Sequence, residues 1–85
     1  MERIAVVGAG LMGHGIAQVF ACAGHPVAIH DPDAAALASV PDRVRSNLEL
    51  IGLDTAPADA IERHERLATC VEGAGAVFEA APESV

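Results

Sequence analysis

Ile4-Ala5-Val6-Val7-Gly8-Ala9-Gly10-Leu11-Met12-Gly13 decides the reading of this 85-residue chain. Four apolar residues in a row, ended by a glycine, have the pattern of a short strand buried on both faces. The glycines stand at G-x-G-x-x-G spacing and run directly into a helical stretch, Leu11–Ala23. There Gly13, Ile16, Ala17, Phe20 and Gly24 recur at three- and four-residue steps and make one thin stripe, suited to lying close against a sheet. Glycine spacing of this kind also arises by chance in loops, but between a buried strand and a helix it carries a mechanism. Gly8 permits the tight turn, Gly10 lets a pyrophosphate approach the backbone, and Gly13 lets helix and strand pack closely. Phosphates would then meet the N–H groups that open the helix, where the helix dipole contributes roughly 0.3–1 kcal/mol.

The chain beyond this unit supports it. Gly24-His25-Pro26 stops the helix and turns the chain into a second strand, Val27–Asp31. Its last residue is an acid, eighteen positions after Gly13. Asp31 at a strand tip can accept from both ribose hydroxyls of an adenosine, and its charge would repel a 2′-phosphate. No arginine follows at 32 or 33, so the pattern favours NAD over NADP. The plainer alternative is that Asp31 only caps the turn at Pro32.

Asp33 is a candidate N-cap for a long helical stretch near 34–52, with Val44, Leu48 and Ile51 on its apolar face. Pro41 falls inside it, where it would cost about 3 kcal/mol in a regular helix, so a kink or break is expected there. Gly52 ends the element, and Thr55–Pro57 opens a short helix near 58–65 anchored by Ile61. Arg66–Cys70 reads as a third strand and Ala76–Ala80 as a fourth. The alternation is that of an α/β protein, the first half of a Rossmann-type doubly wound parallel sheet with strand order 3-2-1-4. In that order the third and fourth strands stand about 14 Å apart, and the return diagonal is about 22 Å. Six steps from Cys70 to Ala76 reach only ~20–22 Å when fully extended. Either Arg66–Cys70 is not a full strand, or Val71–Gly75 crosses as extended chain; no ordinary helix is expected between the two.

Composition bounds the rest. A chain this short buries roughly 60–65% of its unfolded surface, enough for one small core. Residues 1–85 read as one partial domain, with no second domain, signal peptide or apolar run of membrane-spanning length. The cytoplasm is the expected compartment, and no membrane partner is expected. Net charge is −7, from twelve acids against five arginines and no lysine. That disfavours nucleic acid, whose phosphates are met by clustered basic side chains. A single pyrophosphate is still open to backbone donors. Cys22 and Cys70 read as two free buried thiols.

Other polar residues offer less. His14, in the first helical turn, could touch a phosphate, but reads more simply as a solvated loop histidine. His30 alternates away from Asp31 along the strand. Cys22-x-x-His25 supplies two ligands where zinc needs three or four, so no metal is expected. Glu79 and Glu83 have no nucleophile or histidine nearby and read as one structural acid and one cofactor-side acid.

With these residues assembled, the chain resembles the N-terminal domain of the L-3-hydroxyacyl-CoA dehydrogenase family, which includes 3-hydroxybutyryl-CoA dehydrogenases and relatives acting on L-gulonate and carnitine. The resemblance rests on Arg3–Ala21, the turn Ala23-Gly24-His25-Pro26-Val27, Asp31, and Val77-Phe78-Glu79-Ala80-Ala81-Pro82-Glu83. It implies NAD as cofactor, with Gly8, Ala9, Gly10, Leu11, Met12 and Gly13 at the pyrophosphate, Asp31 at the adenosine ribose and Glu83 on the nicotinamide side. It implies oxidation of the 3-hydroxyl of an acyl-CoA substrate by a homodimer. The catalytic histidine and its orienting glutamate would belong to sequence beyond Val85. No catalytic residue is therefore expected within the chain, and the isolated chain is expected to be inactive. The segment between the third and fourth strands looks shorter than the family's helix-bearing one. A different hydroxy-acid dehydrogenase and a non-catalytic nucleotide-binding module are the alternatives.

Overall fold

In the computed structural model, which describes residues 1–80, the apolar run Ile4–Val7 is strand β1 at the centre of a parallel sheet. Helix α1 (Leu11–Cys22) returns the chain to β2 (Val27–His30). Two helices follow, α2 (Ala34–Ala38) and α3 (Val40–Leu50), then the short α4 (Ala56–Ala60). Strand β3 (Glu62–His64), helix α5 (Leu67–Val71) and strand β4 (Ala76–Glu79) complete the described chain. The strand order is β3-β2-β1-β4, with Ile4 level with Val27 on one side and Ala76 on the other. This is the doubly wound Rossmann-type arrangement that the alternation predicts.

Both faces of β1 and β2 are covered, and the two faces differ in the size of their side chains. Ile4, Val6, Val27 and Ile29 meet Ala17, Val44 and Leu48 in the main core. Ala5 and Ala28 point the other way, and their small side chains leave room for Cys70 of α5. Side chains alternate across a strand with a period of two, so a run with no polar residue is what a doubly covered strand requires.

The break at Pro41 falls where it was expected, and its form is a junction of two helices. The Asp33 carboxylate caps α2, with Oδ1 accepting the N–H groups of Ala35 and Ala36. Ser39 ends α2, its Oγ donating to the Ala36 carbonyl at 2.7 Å. Pro41 then sits in the first turn of α3, where a missing N–H costs no hydrogen bond. Arg45 of α3 bridges Asp42 and Asp59, tying α4 to α3.

Four expectations need correction here. Arg66–Cys70 is not the third strand; β3 lies upstream at Glu62–His64, and Leu67–Val71 is helical. The reach argument holds in its first branch, because a strand ending at Cys70 would leave too little chain to cross the sheet. Ending β3 at His64 frees enough chain for a helix of five residues, so a helix does join the third strand to the fourth. The helix placed near 58–65 stops at Ala60 instead, because Ile61 turns extended and buries its side chain in the main core. Cys22 is exposed, and only Cys70 is a buried thiol.

Arg3 fixes α5 in place. Its guanidinium donates to the carbonyls of Thr69, Cys70 and Glu72, which the end of this short helix leaves unpaired, and to Glu62 at 3.0 Å. Cys70 Sγ donates to the Val6 carbonyl at 3.8 Å, and burial pushes its thiol pKa up. Among the described residues no helix is long and apolar enough to cross a membrane.

Candidate functional site

A cleft of about 410 Å³ opens at the C-terminal ends of β1 and β4. The strand order reverses there, with β2 on one side of β1 and β4 on the other. Open α/β sheets bind ligands at such switch points.

The three glycines have separable reasons to be glycine. Gly8 has φ +112°, and a Cβ there would run into the Ala80 carbonyl oxygen. Gly13 has no room either, since its Cβ would overlap the Gly8 carbonyl oxygen. Gly10 has an ordinary φ of −74°, and nothing lies within 4 Å of where its Cβ would stand. The fold therefore requires glycine at 8 and 13 but not at 10, and the open space at Gly10 borders the cleft.

Leu11, Met12 and Gly13 begin α1, and their N–H groups have no acceptor among the described residues. The first N–H groups of any helix lack intrahelical partners, and here no side chain caps them. Ala9 is buried, and its N–H donates to Asp31 Oδ2 at 2.8 Å. Asp31 Oδ1 accepts the N–H of Asp33 at 2.7 Å. The turn-capping role at Pro32 is thus real, but it engages one oxygen only. Each carboxylate oxygen keeps a further acceptor position.

Of the site residues expected from the sequence within the described chain, Gly8, Gly10, Leu11, Met12, Gly13 and Asp31 line this cleft, while Ala9 is buried in the main core and reaches the site only through its N–H to Asp31. Glu83 lies outside the described residues. Glu79, read from sequence with Glu83 as one structural and one cofactor-side acid, stands on the cleft wall, as does Asp33. The Asp31-x-Asp33 spacing was the available signal for Asp33. Among the described residues no basic side chain lines the cleft. Any phosphate held here would depend on backbone N–H groups and the helix dipole.

His14 is not a solvated loop histidine. It is buried, with Nδ1 against the Gly10 carbonyl at 2.9 Å and Nε2 against the Asn47 side-chain amide at 3.3 Å. His30 is also buried, its Nδ1 bonded to the His64 carbonyl of β3.

A parallel sheet with a glycine cradle and an acid at its switch point defines a dinucleotide-binding domain. The chain belongs to the 3-hydroxyacyl-CoA dehydrogenase family, whose NAD binding domain residues 3–85 match, and its cofactor is NAD. Among solved structures it is similar to an (S)-3-hydroxybutyryl-CoA dehydrogenase of Ralstonia eutropha, at 29% identity and TM-score 0.83, over 100% of this chain and 32% of that one. It is similar to FadB2 of M. tuberculosis, at 30% identity and TM-score 0.84, over 99% of this chain and 32% of the other. A 3-hydroxybutyryl-CoA dehydrogenase of Escherichia coli K12 matches at 32% identity and TM-score 0.82, over 98% of this chain and 19% of its own. No curated protein matches the chain. The chain spans about a third of the length of the first two of these structures.

Proposed function

We propose that this chain holds NAD, through Gly8–Gly13 and Asp31, for an enzyme that oxidises the 3-hydroxyl of a 3-hydroxyacyl-CoA to a 3-keto group. The observation that carries the reading is the set of N–H groups at the start of α1 that find no acceptor among the described residues, beside the open space at Gly10 and with Asp31 one strand away. These donors suit a pyrophosphate, and the remaining acceptor positions on Asp31 suit a pair of ribose hydroxyls. Among the described residues the cleft is lined by no cationic side chain, which disfavours a polyanion.

Bound NAD supplies a hydride acceptor. The residues of this chain bind and orient it: Gly10 admits the phosphates, Asp31 holds the ribose, and Leu11 and Met12 form an apolar rim. Proton abstraction from the hydroxyl is assigned to a base outside residues 1–85, and the 85-residue chain by itself is expected to be inactive.

The test has two arms. Calorimetric titration of the full chain should show NAD binding, and its absence would sink the cofactor assignment. Turnover by the complete protein should favour 3-hydroxyacyl-CoA over free hydroxy acids such as L-gulonate. A preference for the free acids would keep the cofactor and overturn the substrate.

A further inference from the structure

We infer that His14 is a positioning residue for the cofactor's pyrophosphate: it clamps the Gly10 carbonyl so that the N–H on the other side of the same peptide faces the cleft. The inference rests on the cofactor reading above.

The Gly10 carbonyl accepts twice, from the His14 backbone N–H at 3.0 Å and from the His14 ring at 2.9 Å. A carbonyl can only accept, so Nδ1 carries the ring proton and Nε2 is the acceptor. Nε2 receives the Asn47 amide of α3, and that same amide nitrogen also donates to Gln18 Oε1 of α1 at 3.0 Å. Both ring nitrogens of a 5%-exposed histidine are thus engaged, and each bond has one direction.

The placement matters because of what the loop lacks. Gly10 is the N-cap of α1, has no side chain, and is the residue type with the most backbone freedom. In a trans peptide the C=O and the following N–H point in opposite directions. Holding the Gly10 carbonyl on His14, whose ring Asn47 of α3 braces, therefore sets the Leu11 N–H, first of the three donors without an acceptor among the described residues, toward the opposite side. A leucine would fill the same space without the desolvation cost of a buried ring, so the polar residue is explained by direction and not by packing.

The test compares ADP-ribose, which carries the pyrophosphate, with adenosine, which does not, on the full chain and its variants. His14→Leu should weaken ADP-ribose at least tenfold and leave adenosine within about twofold. His14→Asn places an amide N–H the same number of bonds from the backbone as Nδ1, and should restore ADP-ribose affinity to within about threefold of the parent. Equal losses for both ligands in His14→Leu, or no loss, would overturn the inference. Should His14→Leu not fold, His14→Asn still decides, because a tenfold loss there would show that the donor is not what matters. A parent chain that binds adenosine but neither ADP-ribose nor NAD would instead defeat the cofactor reading itself.

Discussion

The carboxylate of Asp31 reaches back to accept the Ala9 N–H at 2.8 Å, so the tip of β2 and the glycine loop after β1 form one hydrogen-bonded unit. A substitution at 31 thus acts on the loop as well as on any ribose. Asp31→Asn keeps the shape and one accepting oxygen while removing the charge. Two like charges about 5 Å apart repel by about 3 kcal/mol at an effective dielectric near 20. The half-exposed setting lowers that figure, so Asn at 31 should narrow the preference for NAD over NADP by at least about tenfold. Titration with both cofactors checks this; an unchanged ratio would remove Asp31 from the adenosine ribose.

Gly10→Ala and Gly13→Ala should fail in different ways. Alanine at 10 meets nothing within 4 Å and needs no unusual backbone angle, so unfolding free energy should move by less than about 1 kcal/mol. NAD affinity should nonetheless fall, because a methyl group occupies the approach to the loop. Alanine at 13 would collide with the Gly8 carbonyl and should destabilise the fold by several kcal/mol, about what strong overpacking costs. Denaturation curves beside binding curves separate the two effects, and a reversed pattern would exchange the roles of these glycines.

The two thiols should react in sequence. One equivalent of maleimide should label native protein at exposed Cys22, and a second should react only after unfolding. Burial both hides Cys70 and raises its pKa, which lowers the thiolate fraction. Arg3→Ala removes the donors that hold the end of α5 and should speed native-state labelling of Cys70 several-fold. Rapid labelling of both cysteines in the parent would contradict the packing of α5 on Ala5 and Ala28.

Stability in acid should reflect Glu62. Hydrogen bonds from His64 and Arg3 hold its carboxyl below the ordinary value of 4.5. A depressed folded-state pKa favours the native state above the unfolded value, and this contribution is lost as pH falls through the folded value. Glu62→Gln should therefore cost stability near pH 6 and cost progressively less below pH 4.5. Glu62 is 59% exposed, so the effect should stay under about 1 kcal/mol. A stability gap between the two proteins that does not shrink in acid would show that the carboxylate charge is not the cause.

The unit from Ile4 to Asp31 was legible because each element there has a local cause: an unbroken apolar run, glycine spacing, and an acid at a strand end. The break at Pro41 was legible for the same reason, since proline acts on its own backbone. β3 was not. Glu62, Arg63 and His64 are all polar, and an edge strand of three residues carries no hydrophobic pattern to find. Arg66–Cys70, which carries apolar Leu67 and Cys70, took its place in the reading, although the burial of Cys70 as part of a helix depends on Ala5 and Ala28, some forty to sixty-five residues away. His14 was misread as solvated because its second partner, Asn47, lies thirty-three positions downstream on another helix. Its first partner is one helical turn back at Gly10, and that i, i+4 spacing was the one local clue.

The three donors at the start of α1 that find no acceptor among the described residues belong to the main chain, and this sets how the site can be damaged by mutation. A lysine or arginine that grips an anion can be deleted by a single codon change, but a backbone N–H survives every substitution except proline. Loss of function at this loop should come from added bulk or from misdirection of the peptide planes, not from missing donors. Exposed side chains at 11 and 12 are then free to vary over generations so long as they stay out of the way, while 8 and 13 are held to glycine by the fold and 10 by the ligand alone.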